Sequence, residues 1–275
     1  MGRKLIGIDL DHTTLNEAGE VSERTKQTLQ AAQDAGHIIS IITGRPTRLT
    51  TGIYDTIGLK SPMINFNGSL GLTPRASWKD AYSYKVNHEI AFDLLEQAAD
   101  LGIDTVVAEN MDDVWGKDIS VNAPEDSIFF PKDEDGKKML DRLSLQTDVN
   151  AILLHAADPL HQAQIRRFVL DRYGEDNVNV KTWGGDAPVL EVAPAGVSKD
   201  TGLDILSKSF SIAKDDIYAF GDEMNDFEMI DFATHGVVMA NGNQDLKAIA
   251  DDVTMYSNED DGLARYLENL LDLNN

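Results

Sequence analysis

Short apolar segments alternate with helical patterns at the start of this 275-residue chain. Residues 5–8 and 37–42 are near-continuous apolar runs, which is the pattern of strands buried on both faces of a parallel sheet. Between them we predict a helix from about Ser22, a suitable N-cap, to Gly36, a suitable helix end. Strand, helix and strand in this order form a βαβ unit, so the sequence predicts a Rossmann-like, doubly wound α/β core.

The pattern changes between about residues 81 and 188, where strands and helices follow a different rhythm. The predicted strands are residues 105–108, 151–155 and 178–182, and the predicted helices are residues 88–101 and 161–173. Two strands and a helix, repeated, indicate a separate α+β unit with an antiparallel sheet. We therefore expect residues 1–80 and 189–275 to form the core domain, with residues 81–188 inserted into it as a second domain.

Composition narrows the classes of partner. The net charge of −23 and the lack of a basic patch disfavour nucleic acid and anionic membranes, because phosphate contacts need clustered Lys and Arg. No apolar run approaches the roughly eighteen residues that a membrane span needs, and the apolar run near the start is too short for a signal peptide. The chain has no cysteine, which fits a reducing compartment. We expect a cytoplasmic protein, and the sequence makes no prediction of its oligomeric state.

Two carboxylates follow the first predicted strand, at Asp9 and Asp11. Residues two apart in an extended segment point the same way, so both side chains can face one small site. Ligands of open α/β sheets bind at the carboxyl ends of the strands. The pair therefore predicts a site of metal-assisted chemistry at this edge of the sheet.

Further polar residues follow other predicted core strands or begin helices. Thr43 offers a hydroxyl and a neighbouring backbone N–H to an anionic oxygen, and Gly44 lets the backbone approach closely. Lys199 lies in the first turn of a predicted helix, where its ammonium can act as a point charge beside a phosphoryl group. Asp222 and Asp226 are four residues apart, so both carboxylates can reach one place from a turn that enters a helix.

This set of residues suits phosphoryl transfer. An acidic site with oxygen ligands only is typical of Mg²⁺, which takes one or two carboxylates and keeps several waters. A carboxylate nucleophile can form an aspartyl-phosphate, and a metal ion with a lysine can neutralise charge on the transferred oxygens.

The motifs together resemble the haloacid dehalogenase superfamily, and within it the Cof-type phosphatases with a C2B-type cap. The residues that carry the resemblance are Asp9-x-Asp11-x-Thr13, Thr43-Gly44-Arg45-Pro46, Asn67-Gly68, Gly196-Val197-Ser198-Lys199 and Gly221-Asp222-x-x-Asn225-Asp226. The stretches 238–242 and 258–262 also look like that group. The resemblance implies that residues 81–188 are the substrate-specificity cap.

The resemblance also implies a role for each site residue. Asp9 would be the nucleophile and a Mg²⁺ ligand, Asp11 the general acid–base and a ligand through its backbone carbonyl, and Asp222 the remaining protein ligand. Lys199 would balance charge, and Asp226 would orient the metal's water shell or Lys199. The substrate-binding residues would be Thr43, Gly44, Arg45, Asn67 and Asn225.

The function that follows is a Mg²⁺-dependent phosphatase acting on small phosphorylated metabolites, with sugar phosphates as the leading class. Phosphorylated cofactors such as pyridoxal phosphate or flavin mononucleotide are alternative substrates that the sequence does not separate. Two other functions stay open: a phosphomutase with the same chemistry, and a sugar-phosphate sensor with weak or lost turnover. The one departure from the family pattern is His12, where the family usually has glycine.

Overall fold

The computed structural model describes residues 2–120, 128–132, 136–156, 158–182 and 188–273. The chain divides into two compact units, one made of Met1–Tyr82 with Ser198–Asn275 and the other of Ser83–Val197. We call them the first unit and the second unit.

Strands and helices alternate along much of the described chain. The strands are β1 (Leu5–Ile8), β2 (Ile38–Ile41), β3 (Met63–Asn65), β4 (Leu70–Leu72), β5 (Tyr82–Ser83), β6 (Thr105–Glu109), β7 (Val114–Asp118), β8 (Lys138–Met139), β9 (Ala151–His155), β10 (Val178–Thr182), β11 (Val189–Pro194), β12 (Ile217–Gly221), β13 (His235–Val238) and β14 (Asp252–Val253). The helices are α1 (Glu23–Asp34), α2 (Thr47–Ile57), α3 (Glu89–Glu96), α4 (Ala98–Leu101), α5 (Pro159–Tyr173), α6 (Lys199–Phe210), α7 (Phe227–Phe232), α8 (Gln244–Lys247) and α9 (Gly262–Leu270).

The first unit is built on a parallel sheet with the strand order β14-β13-β12-β1-β2. Strand β1 pairs with β12 on one side and β2 on the other, with Leu5 opposite Ile217 and Ile38. The carboxyl ends of the three strands therefore lie at the same edge of the sheet. The residues that directly follow these strands, which include Asp9, Thr43 and Asp222, begin from that edge.

Both faces of this sheet are buried under helices. Alternate residues of β1 point to opposite faces, so Ile6 and Ile8 pack with residues of α1, α2 and α9, whereas Leu5 packs with residues of α6 and α7. An N-cap at Ser22, whose side chain accepts from the Thr25 N–H, begins α1 as the sequence predicts. The prediction of a doubly wound parallel core with an inserted α+β domain is confirmed.

The second unit contains a six-stranded sheet with the order β10-β11-β9-β6-β7-β8. Neighbouring strands are antiparallel except β7 and β8, which are parallel. One face of this sheet packs against residues of α3, α4 and α5. The predicted strands at 105–108, 151–155 and 178–182 correspond to β6, β9 and β10.

The second boundary of the inserted domain differs most from the sequence prediction, which assigned residues 189–275 to the core. In the structure β11 lies between β9 and β10 in the sheet of the second unit, with Leu190 opposite Leu154 and Thr182. The second unit consequently ends at Val197 rather than at residue 188. A run of apolar residues is buried in either kind of sheet, so the sequence pattern does not indicate which sheet it joins.

None of the described helices combines the length and the apolar character that a membrane-spanning helix requires.

Candidate active site

The ammonium group of Lys199 is the centre of a buried charge cluster in the first unit. Lys199 is the first residue of α6, after the N-cap Ser198, and its side chain is fully buried. Nζ donates to Asp9 Oδ1 at 2.7 Å and to Asp226 Oδ1 at 2.6 Å. Burial by itself lowers the pKa of Lys199, but the two carboxylates outweigh it, so the pKa is raised and the side chain is charged.

Asp9 continues β1 beyond its last strand residue. Its N–H donates to Phe220 O at 3.0 Å, which extends the pairing of β1 with β12 and turns the carboxylate towards Lys199. Burial raises the pKa of Asp9 well above its usual range, and the neighbouring carboxylates of Asp226, Asp222 and Asp11 raise it further. The charge of Lys199 lowers the pKa of Asp9, but the pKa stays raised overall. The single ammonium beside Asp9 therefore does not offset the effects of burial and of the neighbouring carboxylates.

Asp226 is fixed from both sides. Its Oδ2 accepts from the N–H groups of Asp222 at 2.9 Å and Glu223 at 3.2 Å, while Oδ1 accepts from Lys199. Gly221 makes room for this side chain, because a Cβ at residue 221 would lie 2.4 Å from Asp226 Cγ. With both oxygens engaged, Asp226 is placed to orient Lys199 and the turn that carries Asp222.

Asp222 begins the turn after β12 and is partly exposed. Its Oδ1 accepts from the hydroxyl of Thr13 at 3.0 Å. Burial, followed by the charge of Asp226, raises the pKa of Asp222 to about 7. A group with this pKa is half ionised near neutral pH, so a bound cation would readily shift it to the carboxylate form.

One oxygen from each of Asp9, Asp222 and Asp226 lies within 4.8 Å of the other two. The donors are carboxylates only, which matches the ligands of a hard divalent cation. Burial, followed by the charges of neighbouring carboxylates, raises the pKa of both Asp9 and Asp222. Both observations fit a cation site, with Asp9 and Asp222 as the available carboxylate ligands.

Asp11 is turned towards Arg45. The guanidinium donates from Nε to Asp11 Oδ2 at 2.9 Å and from an Nη to Oδ1 at 2.5 Å, a bidentate ion pair. Arg45 is nearly buried, whereas the Asp11 side chain is 41% exposed. The Asp11 carboxylate is thus held at the edge of the charge cluster.

The remaining predicted residues form a connected backbone and side-chain network. The main-chain N–H of Asn67 donates to Thr43 O at 3.0 Å, and Thr43 Oγ1 accepts from the Arg45 N–H at 3.2 Å. The Asn225 amide donates to Asn67 Oδ1 at 3.3 Å. A Cβ at Gly44 would lie 3.1 Å from the Asn67 amide atoms, so glycine permits this close approach. The structure brings all ten predicted site residues into the first unit.

Two contributions to the site were not predicted. Gly68, with φ +105°, lies so close to the N-cap of α6 that a Cβ would be 2.1 Å from Ser198 O. It therefore sets the position from which Lys199 enters the site. The second contribution is the hydroxyl of Thr13, which holds the Asp222 carboxylate. In the sequence, Gly68 and Thr13 stand out only because each belongs to a motif. The spacing of residues does not predict the contact that either of them makes.

His12 adopts the left-handed conformation, with φ +52°. Glycine takes this conformation without steric cost, which explains why a family pattern with glycine fits this position. The His12 side chain points away from the buried charge cluster to an exposed position, where Nδ1 lies 3.1 Å from Glu17 Oε1. The backbone of the loop is accordingly the one that glycine would adopt.

Known proteins resemble this chain in sequence and in fold. The chain is 32% identical to the 5-amino-6-(5-phospho-D-ribitylamino)uracil phosphatase YitU of Bacillus subtilis, over 98% of both chains. It is 24% identical to YwtE of the same organism, which has the same activity name, again over 98% of both chains. A haloacid dehalogenase-like hydrolase of Bacteroides thetaiotaomicron has the same fold, with a TM-score of 0.81 and 23% identity over 98% of this chain and 100% of that one.

The model of the haloacid dehalogenase-like hydrolase family matches residues 6–267, nearly the whole chain. The prediction of a phosphatase-type hydrolase from this superfamily is confirmed by that match and by the relatives. The chain belongs to the haloacid dehalogenase-like hydrolase family.

Proposed function

We propose that the protein is a Mg²⁺-dependent phosphatase that hydrolyses small phosphate monoesters through an aspartyl-phosphate on Asp9. The observation that carries the proposal is the buried Lys199 ammonium, 2.7 Å from Asp9 and 2.6 Å from Asp226. A fully buried lysine with two carboxylate partners is expensive to maintain for stability alone. It is well suited to balance charge on a phosphoryl group attached to Asp9.

In the first step an Asp9 oxygen attacks phosphorus, and the bond from phosphorus to the ester oxygen breaks. The protonated Asp11 carboxyl gives its proton to the departing oxygen, so the alcohol leaves neutral. In the structure Arg45 donates two hydrogen bonds to the Asp11 carboxyl group. In the proposal Arg45 turns towards the phosphoryl oxygens when substrate binds, which frees Asp11 to take and transfer the proton.

In the second step Asp11 accepts a proton from water, and the water oxygen attacks phosphorus. The Asp9–phosphorus bond breaks, inorganic phosphate leaves, and Asp9 is a carboxylate again. Thr43, Gly44, Asn67 and Asn225 would bind the phosphoryl oxygens. Mg²⁺ would be held by Asp9, Asp222 and the main-chain oxygen of Asp11, and when bound it supplies positive charge that neutralises those oxygens.

For the substrate we propose a phosphorylated sugar or sugar alcohol. Support comes from the relatives YitU and YwtE, which are named for a substrate with a 5-phospho-D-ribityl group. A structural neighbour with 20% identity and a TM-score of 0.77 is described as a sugar phosphatase. The second unit would select the organic part of the substrate, in the role of a cap.

The test is phosphate release from a substrate panel, measured with Mg²⁺ and with EDTA. The panel contains sugar phosphates, 5-amino-6-(5-phospho-D-ribitylamino)uracil, pyridoxal phosphate and flavin mononucleotide. We expect Mg²⁺-dependent release that is highest for the sugar and ribityl phosphates and absent in Asp9→Asn. Turnover that needs a sugar bisphosphate and returns an isomer would indicate a phosphomutase. Ligand binding without any turnover would indicate a sensor.

A further inference from the structure

Four side chains outside the charge cluster hold the loop that follows Asp9. We call them the loop clamp: His12, Glu17, Asn241 and Asn258. The Asn241 amide donates to His12 O at 2.8 Å, and Asn241 Oδ1 accepts from the Asn258 N–H at 3.1 Å. The Asn258 amide donates to Leu15 O at 2.9 Å and to Glu17 Oε1 at 3.3 Å. Glu17 Oε1 closes the ring at His12 Nδ1.

The loop between these contacts carries both residues that flank His12. Asp11 precedes it, and Thr13, which donates to Asp222, follows it. Inside the loop the N–H groups of Thr13, Thr14 and Leu15 all point to Leu10 O, at 3.3, 3.0 and 2.8 Å. The direction of the Asp11 and Thr13 side chains therefore depends on the left-handed conformation at residue 12.

A non-glycine residue in the left-handed conformation is strained relative to glycine, because its Cβ approaches the following carbonyl oxygen. The His12 and Glu17 side chains are 56% and 60% exposed, and exposed ion pairs contribute little. The two asparagines are better placed to stabilise the loop, because they bind its main-chain oxygens and Asn258 is buried. With His12, the loop therefore needs the hydrogen bonds of the clamp to keep its conformation. With glycine at residue 12, it would not need them.

We propose that Asn241 and Asn258 are positioning residues for catalysis, which hold residue 12 in the left-handed conformation and so place Asp11 and Thr13. The inference rests on the proposed phosphatase function. The stretches around residues 241 and 258 then support the first catalytic loop, through hydrogen bonds to His12 O and Leu15 O.

The test is a double-mutant cycle of Asn241→Asp with His12→Gly. Asn241→Asp keeps the acceptor for the Asn258 N–H and replaces the donor to His12 O with a charged carboxylate oxygen. Asn241 is exposed, so the fold is not at risk. The loss of one neutral hydrogen bond should lower kcat about three- to tenfold, with KM changed by less than about twofold. Adding His12→Gly should bring kcat back to within about twofold, since glycine needs no clamp.

Amide hydrogen exchange of residues 13–15 gives a readout that does not need turnover. Exchange should be faster in Asn241→Asp by the same factor as the fall in kcat, and the double variant should restore its protection. Asn269→Asp is the matched control, because Asn269 is exposed on α9 and the change adds the same charge.

Three results would overturn the proposal: an unchanged kcat in Asn241→Asp, a loss that His12→Gly does not repair, or an equal loss in Asn269→Asp. If the wild-type protein releases no phosphate, the proposed function fails instead. The exchange of residues 13–15 then decides by itself whether the clamp holds the loop.

Discussion

Replacing Asp9 with asparagine should make the metal-free protein more stable while it abolishes phosphate release. Asparagine has the same shape, and its oxygen can still accept from Lys199. The replacement removes the negative charge of the Asp9 carboxylate. Burial and the neighbouring carboxylates raise the pKa of Asp9, so this charge is unfavourable in the folded protein. The opposite signs for stability and activity are typical of a residue that is retained for chemistry.

The expected gain in the free energy of unfolding follows from the distances between the charged groups of the cluster. At an effective dielectric constant of about 20, the attraction between Asp9 and Lys199 over 2.7 Å is about 6 kcal/mol. Once Asp222 is ionised, above its pKa of about 7, repulsion from each of the Asp222 and Asp226 carboxylates, within 4.8 Å, is at least about 3.5 kcal/mol. The two repulsions exceed the attraction by about 1 kcal/mol, and the cost of burying the charge adds to this difference.

The assay is thermal unfolding in EDTA over a range of pH. A gain of about 1 kcal/mol corresponds to a rise in Tm of about 2–4 °C for a chain of this size. Because the pKa of Asp9 is raised in the folded state, ionisation destabilises the wild type as pH rises above the ordinary carboxyl pKa. The stability difference between Asp9→Asn and the wild type should therefore be smallest in acid and should grow as the pH rises through neutrality, where Asp222 also ionises.

Asp100→Asn, at an exposed position on α4, is the matched control for the loss of one negative charge and should change Tm little. Mg²⁺ should stabilise the wild type more than Asp9→Asn, since the variant lacks a proposed ligand. An asparagine variant that is less stable than the wild type in EDTA at every pH would refute the electrostatic reasoning. Retained phosphate release would refute the covalent mechanism.

Three further predictions concern the same cluster. Lys199→Met should lower turnover about 10²–10³-fold and lower the free energy of unfolding by about 3–5 kcal/mol, because it leaves two buried carboxylates without their cation. Phosphate release measures the first effect, and urea unfolding measures the second. Since the pKa of Asp222 is raised to about 7, the metal-free protein should lose stability as pH rises through neutrality, and Mg²⁺ should raise Tm more at about pH 8 than at about pH 6. Gly68→Ala should destabilise the protein by more than about 1–3 kcal/mol and slow turnover, because its Cβ would collide with Ser198 O; Gly52→Ala, in open space on α2, should instead stabilise by about 0.5–1 kcal/mol. Equal effects of the two glycine replacements on Tm would contradict the role assigned to Gly68.

The architecture and the residue types of the site could be predicted from the sequence. Apolar runs such as residues 5–8 are buried on both faces of a sheet whatever surrounds them, so their rhythm with helices predicts parallel βαβ units. Residues that directly follow such strands meet at one edge, which is why Asp9, Thr43 and Asp222 could be assigned to one site from their positions in the chain.

The contacts between groups, in contrast, depend on the folded chain. That β11 joins the antiparallel sheet depends on its pairing with β9 and β10, which an apolar pattern does not encode. The pairing of Asp11 with Arg45 and the approach of Gly68 to Ser198 depend on distances between segments far apart in the chain. His12 looked like a departure from the family pattern, and its effect became clear only from its φ of +52°. Sequence spacing fixes which residues share an edge, whereas hydrogen bonds and backbone conformation fix how each side chain is used there.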